Sequence, residues 1–365
     1  MTDDRAPPFR WAVLGTGGVS AKFVRGLAAV PGHAAVACAS RRPERAAAFA
    51  RAFALEACDW EGAAGHPEAD AVYVATPPSE HERHARLAIA AGKAVLVEKP
   101  FAIDADAAAR IADAARAAGV FAMEAMWTRF QPLLAAIRAR AGAGDLGELR
   151  GFEGRFLAPV RPDPAASLFD PLRGGGALMH RGVYALSLAR HLLGPVDELS
   201  AVARIGATGV DEDCVLALRH ASGAVSSLRA GLRSPGANGA ELYGTDATIR
   251  IAAPIFRPGA ARLIAARPRA GGTGGGGRLA GVRESGLAQA IAQRLGPWRA
   301  ALMPPGRALR APYAGNGYGH QAAAVAAAVR AGETECALMP LAESVEIMGL
   351  IDRARAAWGH GEGRP

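Results

Sequence analysis

The first 120 residues alternate short apolar runs with alanine-rich segments, and this alternation limits the fold more than any other feature. The runs are RWAVLG (10–15), HAAVACAS (33–40), DAVYVATP (70–77), KAVLVEKP (93–100) and VFAMEA (120–125). Between them lie AKFVRGLAAV, PERAAAFARAF, SEHERHARLAIAA and DADAAARIADAARAA. Near-continuous apolar strands separated by helices of this length predict βαβ units and a parallel sheet covered on both faces. Asp104, just ahead of the fourth helix, is the predicted N-cap.

Beyond about residue 130 the pattern changes. LGELRGFEGRFLAP, VDELSAVARIG, DEDCVLALRH, GAVSSLRAGL, GAELYGT and ATIRIAAP predict strands joined by short turns, hence a mainly antiparallel sheet. Helices are expected at 175–193, 318–331 and 341–358. At 365 residues the chain suits two domains, each with its own core. We place the boundary between 1–126 and 127–365, and read 260–312 as an expanded, partly flexible stretch. Within it GGTGGGG (271–277) is expected to be a loop. SGLAQAIAQRLGPWRAAL (285–302) is expected to be a helix with Leu287, Ile291, Leu295, Trp298 and Leu302 on one stripe, packed on its own domain.

VLGTGGVS (13–20) joins the first strand to the first helix. Gly15, Thr16, Gly17, Gly18 and Val19 lie where glycines permit a tight turn and close approach to a pyrophosphate, with Ser20 at the third glycine position. A dinucleotide site follows. The second strand ends in Ser40, Arg41 and Arg42 rather than in the acid that holds ribose hydroxyls in NAD-binding proteins. Guanidinium groups bind a phosphate dianion and an acid repels it, so NADP(H) is favoured over NAD(H). Both arginines could also be simply solvated.

Of 42 basic residues only three are lysines, Lys22, Lys93 and Lys99. An amine titrates in the working range and a guanidinium effectively does not, so a lysine in this background marks chemistry where its position agrees. Lys99 agrees. It follows Glu98 at the carboxyl end of a buried-looking strand, the edge where open α/β sheets bind ligands. GGGALMHRGVY (174–184) places His180 and Tyr184 four residues apart, on one face of a helix.

Other features exclude more than they suggest. The formal charge is +8. From Arg250 to Arg310 there are eleven arginines and one acid, Glu284, but no nucleic-acid motif and few aromatics accompany them. A solvated loop region is the expectation, with no nucleic-acid partner. No apolar run reaches the ~18 residues of a membrane span, and MTDDRAPPFR lacks the apolar core of a signal peptide. Cys38, Cys58, Cys214 and Cys336 form no CxxC pair, which fits reduced thiols, a cytoplasmic location and no metal site.

GTGGVSAKF, SRRPERAAAFA, TPPSEHERHARLAIAAGKAVLVEKP and EAMWTRFQP resemble the Gfo/Idh/MocA oxidoreductase family, on its dihydrodiol dehydrogenase and NADP-dependent xylose dehydrogenase branch. The likeness continues through FDPLRGGGALMHRGVYALSLARHLLG, GYGHQ and AGETECALMPLAESVEIMGLID. It implies a Rossmann domain followed by an α/β domain whose open sheet forms a homodimer or higher homo-oligomer. It also implies that Lys99 reaches nicotinamide and substrate, and that Thr76, Pro77, His81, Trp127 and Arg129 line the cofactor. On the residues alone, Trp127 fits a core aromatic and His81 a helix-surface residue equally well.

The family normally has an aspartate where this chain has His180, and an apolar residue where it has Arg181. Oxidising an alcohol removes a hydride from carbon and a proton from oxygen, and a side chain must handle the proton. The expected set is Lys99, Tyr184 and His180, with His180 as base or relay and the Lys99 amine lowered by burial and by its cationic neighbour. The expected activity is NADP(H)-dependent oxidation or reduction at a secondary alcohol or hemiacetal of a sugar, cyclitol or trans-dihydrodiol. The alternative, suggested by His180 and the basic stretch, is a catalytically weak NADP(H)-binding sensor or regulatory protein.

Overall fold

In the computed structural model residues 9–125 wind six strands into one parallel sheet. The structure describes residues 7–266 and 306–359 together with positions 290 and 294. The strands are β1 (Phe9–Leu14), β2 (His33–Ala39), β3 (Glu56–Cys58), β4 (Ala71–Val74), β5 (Ala94–Glu98) and β6 (Ala122–Ala125), in the order β3-β2-β1-β4-β5-β6. Helices α1 (Gly18–Leu27), α2 (Pro43–Phe53), α3 (Trp60–Ala64), α4 (His81–Ala90) and α5 (Ala105–Ala118) connect them. Every residue of β4 and β5 is buried, which is why these strands read as unbroken apolar runs. Asp104 caps α5 by accepting from the Ala107 N–H at 2.7 Å. β3 was not foreseen. Its three residues, EAC, carry no apolar pattern because an edge strand this exposed needs none.

After α6 (Pro132–Gly142) comes a second sheet of β7 (Leu149–Leu157), β8 (Val196–Ile205), β9 (Asp211–His220), β10 (Val225–Gly231), β11 (Asn238–Gly244), β12 (Ala247–Ile251), β13 (Ala261–Ala265) and β14 (Arg307–Leu309). The order is β14-β13-β12-β11-β7-β10-β9-β8, and each neighbouring pair is antiparallel except β7 with β10. In β9 Cys214, Leu216 and Leu218 are buried while Val215, Ala217 and Arg219 alternate outward. The inward face is covered by α7 (Val183–Leu193), which packs on β7 and β10. β13 and β14 pair with each other at the two ends of the expanded stretch. The glycine run at 271–277 and the expected helix at 285–302 lie outside the described residues, two positions of that helix apart.

Two C-terminal helices return to the first sheet. α8 (Gly319–Arg330) packs on α1, and α9 (Leu341–Gly359) packs on α5, α7 and β8. Asp352 of α9 accepts from the Ala105 N–H at 2.7 Å, which adds a second carboxylate to the N-terminus of α5. This return places the carboxyl edge of the parallel sheet against α7 and its approach segment. Among the described residues no helix is long and apolar enough to cross a membrane.

Candidate active site

A cleft of about 760 Å³ runs along the carboxyl edge of the parallel sheet. Gly15, Thr16, Gly17 and Val19 line one wall. Gly15 has φ +104°, and a Cβ there would stand 2.5 Å from the Ala75 carbonyl oxygen, so only glycine lets the loop cross the end of β4. At Gly17 and Gly18 an added Cβ would meet nothing within 4 Å. Gly17 is the N-cap of α1, it offers no capping side chain, and the first turn carries no acid. The helix therefore presents uncapped N–H groups and a positive dipole end to open space, a cradle that fits a dinucleotide pyrophosphate.

Ser40, Arg41 and Arg42 extend the same cleft beyond β2, joined by Arg45 one turn into α2. The three arginines are exposed, and no carboxylate among the described residues pairs with any of them. Arg10, Arg83, Arg86 and Arg110 all have acidic partners by contrast. Thr76, Pro77 and His81 line the cleft after β4. His81 is fully buried, its Nδ1 lying 3.0 Å from the Pro100 carbonyl and its Nε2 2.8 Å from that of Thr76, so it braces two strand ends. His84 Nδ1 lies 3.1 Å from Thr76 Oγ1, and its ring lies 4.2 Å from that of Trp60. Arg45, Trp60, Arg83, His84 and Arg173 belong to the cleft without having been expected there. For His84 helical spacing from His81 was an available signal, and for Arg45 closeness in sequence to Arg41 and Arg42; for Arg173 there was none.

The floor is formed by Glu98, Lys99 and His180. The Lys99 ammonium donates to the His180 carbonyl at 3.4 Å and sits 4.8 Å from the centre of the Tyr184 ring. His180 lies in a π-helical turn, Leu178–Gly182, that leads into α7. The expectation of an ordinary helix is thereby modified: a wider turn separates His180 from Tyr184, and such turns recur at functional sites. Asp211 accepts from the Leu178 N–H at 2.7 Å and anchors the start of this turn. Tyr184 lies behind the floor, 6% exposed. Its hydroxyl accepts from Trp127 Nε1 at 3.3 Å, and Trp127 stacks on Tyr318 at 4.2 Å.

Burial alone would lower the Lys99 ammonium, but the Tyr184 oxygen and the Glu98 carboxylate outweigh it and the net direction is up. That is opposite to the direction expected from sequence. Glu98 accepts from the Tyr73 hydroxyl at 2.5 Å and from the Lys99 N–H at 3.2 Å, and burial still pushes its carboxyl up. Burial likewise pushes Tyr184 up and Glu124, on β6, up to about 7. His180 is held down to about 3, first by burial and then by the Lys99 charge. Its ring is neutral at ordinary pH, and Nε2 has no hydrogen-bond partner among the described residues. An orphaned nitrogen beside the cleft is chemistry a substrate hydroxyl would satisfy.

Gly18, Trp127 and Tyr184 stand next to the cleft rather than in its wall, and Arg129 is elsewhere. Arg129 is 1% exposed and its guanidinium donates to Ser187 Oγ and O, the Leu338 carbonyl and Glu343 at 2.8, 2.9, 3.2 and 2.7 Å. It ties α7 to α9 and has no reach left for a cofactor.

Two family models match the chain, one described as an oxidoreductase family with an NAD-binding Rossmann fold over residues 9–126, the other as the Gfo/Idh/MocA C-terminal domain over 134–250. Trans-1,2-dihydrobenzene-1,2-diol dehydrogenase of Mus musculus is 33% identical over 248 residues, which are 66% of this chain and 74% of that one. The Sus scrofa protein of the same name is 32% identical over 255 residues, 68% of this chain and 76% of that one. Among solved structures, KijD10, a 3-ketoreductase from Actinomadura kijaniata in complex with NADP and TDP-benzene, has a TM-score of 0.78 at 24% identity, covering 96% of this chain and 98% of its own. The aldose–aldose oxidoreductase of Caulobacter crescentus has 0.79 at 22%, covering 97% and 98%. At such identities the structures show likeness of fold. The sequence matches reach further: the chain belongs to the Gfo/Idh/MocA oxidoreductase family.

Proposed function

We propose that the protein is an NADP(H)-dependent oxidoreductase that interconverts a secondary alcohol or hemiacetal of a sugar, cyclitol or trans-dihydrodiol with its carbonyl form. The observation that carries this reading is the floor of the cleft, where a cationic Lys99, the Tyr184 hydroxyl behind it and an unpartnered His180 nitrogen meet below a dinucleotide-shaped cradle. When bound, the nicotinamide supplies the acceptor or donor for the hydride. Lys99 polarises the reacting oxygen and favours its anionic form, as a fixed charge in a desolvated site does. Tyr184, held by Trp127, handles the hydroxyl proton together with Lys99. His180 serves as a neutral hydrogen-bonding group that orients the substrate hydroxyl. Arg41, Arg42 and Arg45 favour the 2′-phosphate of NADP(H).

Purified protein with NADP+ and a panel of aldoses, cyclitols and trans-dihydrodiols tests the reading through the absorbance of reduced nicotinamide. Steady turnover of at least one class is expected. Tight NADPH binding without turnover across the panel would replace this reading with a redox sensor or regulatory protein.

A further inference from the structure

Arg173 belongs to the half of the chain that carries the second sheet, yet it lines the nucleotide cleft. It sits on a strap of two short turns, Ser167–Phe169 and Pro171–Arg173. The strap is folded on itself. Asp170 Oδ1 accepts from the Leu172 N–H at 3.0 Å, the Asp170 carbonyl from the Arg173 and Gly175 N–H groups at 3.1 and 2.9 Å, and the Leu168 carbonyl from the Gly176 N–H at 2.9 Å. Gly174 has φ +79°, and a Cβ there would meet the side chains of Ile103 and Pro78 at 2.9 Å. Glycine is therefore what lets the strap seat on the turn that follows β4.

That seat fixes where Arg173 stands. Gly15 crosses the same strand end, against Ala75, so contacts run from the glycine loop through the end of β4 to the strap. In the order β3-β2-β1-β4-β5, Arg41, Arg42 and Arg45 lie on the β2 side of β1 and Arg173 on the β4 side. The crevice between β1 and β4 is the switch point at which open α/β sheets hold a pyrophosphate. Arg173 is partly buried, has no carboxylate partner among the described residues, and makes one long contact to the Ala165 carbonyl at 3.5 Å. The strap also leads through Gly174 and Gly175 to Gly176, whose carbonyl accepts from the His180 N–H at 3.2 Å, so it joins the reaction end as well.

We propose that Arg173 is a pyrophosphate-binding residue, reaching from the substrate half of the chain across to the dinucleotide, so that cofactor binding itself fastens the two halves together. The proposal rests on the cleft being the NADP(H) site. A guanidinium presents parallel N–H donors that match two phosphate oxygens, and the diphosphate is present whether or not the ribose is phosphorylated. The cations of the cleft thus fall into two classes. Arg41 and Arg42 sense the 2′-phosphate, and Arg173 senses the diphosphate common to both nicotinamide dinucleotides.

Calorimetric titration of the intact protein separates these classes with fragments. ADP-ribose carries the diphosphate without a 2′-phosphate, and 2′-AMP carries the reverse. For Arg173→Ala and Arg173→Gln the expected result is a Kd for ADP-ribose raised about ten- to hundredfold, with 2′-AMP unchanged. Arg173→Lys, which keeps the charge and loses the fork, should fall between. Unchanged ADP-ribose affinity in both neutral variants, equal weakening of both fragments, or a loss confined to 2′-AMP each overturns the assignment. Failure of the unaltered protein to bind NADP+ at all would instead overturn the cofactor reading on which it rests.

Discussion

At the β2 end of the cleft three arginines stand in solvent with no carboxylate partner among the described residues, whereas at the β5 end Glu98 and Tyr184 are buried, Lys99 and His180 are half-buried, and every one is shifted. On the proposed function, the contrast follows from what each end does. Recognising a phosphate dianion needs cations that are always charged, and exposed guanidinium groups supply these at little folding cost. Handling one proton needs a site where charge is strongly felt, and burial supplies that by removing the screening solvent. Asp211, which anchors the π-turn at the buried end, is itself pushed up to about 6 by burial.

The largest effect on cofactor affinity that should separate the two ends comes from Arg41→Ala with Arg42→Ala. Loss of charge-assisted hydrogen bonds is expected to raise the Kd of NADP+ about ten- to hundredfold and to leave NAD+ nearly unchanged. Equal losses for both dinucleotides would break the assignment of that end. A smaller effect tests burial at the other end. Glu124 has its folded pKa raised to about 7, so between its unfolded value and pH 7 the folded state holds a proton that the unfolded chain has lost. Stability from this group is therefore present at low pH and lost as pH rises toward 7. Glu124→Gln removes the loss, and its melting temperature should gain on the unaltered protein from pH 5 to pH 7.5, by on the order of 2 kcal/mol of stability at the upper end. A constant offset would remove burial as the cause. The smallest effect concerns His180. With its pKa near 3, the ring does not titrate between pH 5 and 8. His180→Asn should change the height of the kcat/KM profile and not its shape there. A midpoint near 6 that vanishes in the variant would restore His180 as a base.

The parallel sheet was legible because its information is local. Apolar runs of strand length, alanine-rich helices and a glycine turn each leave their own period or spacing, and β1, β2, β4, β5 and β6 all fell where those signals lie. The exposed end of the cleft was legible for the same reason, since Ser40, Arg41 and Arg42 simply follow a strand. β3, three largely exposed residues at the sheet's edge, left no apolar pattern to read. Other features had no local signal. Arg129 follows Trp127 in a motif that resembles a cofactor wall, and nothing nearby shows that Ser187 and Glu343, far along the chain, would claim it. The phase change between His180 and Tyr184 depends on a π-turn anchored by Asp211 from β9. The direction of the Lys99 shift depends on which groups surround a buried amine, and those groups come from three separate elements.

The most direct test of the central claim is to measure kcat and NADP+ affinity together for Lys99→Ala. If Lys99 governs the proton at the buried end while the exposed end holds the nucleotide, kcat falls by about 10² to 10⁴ and NADP+ binding is kept. Undiminished turnover, or a loss of NADP+ binding large enough to account for the whole fall in rate, would contradict it.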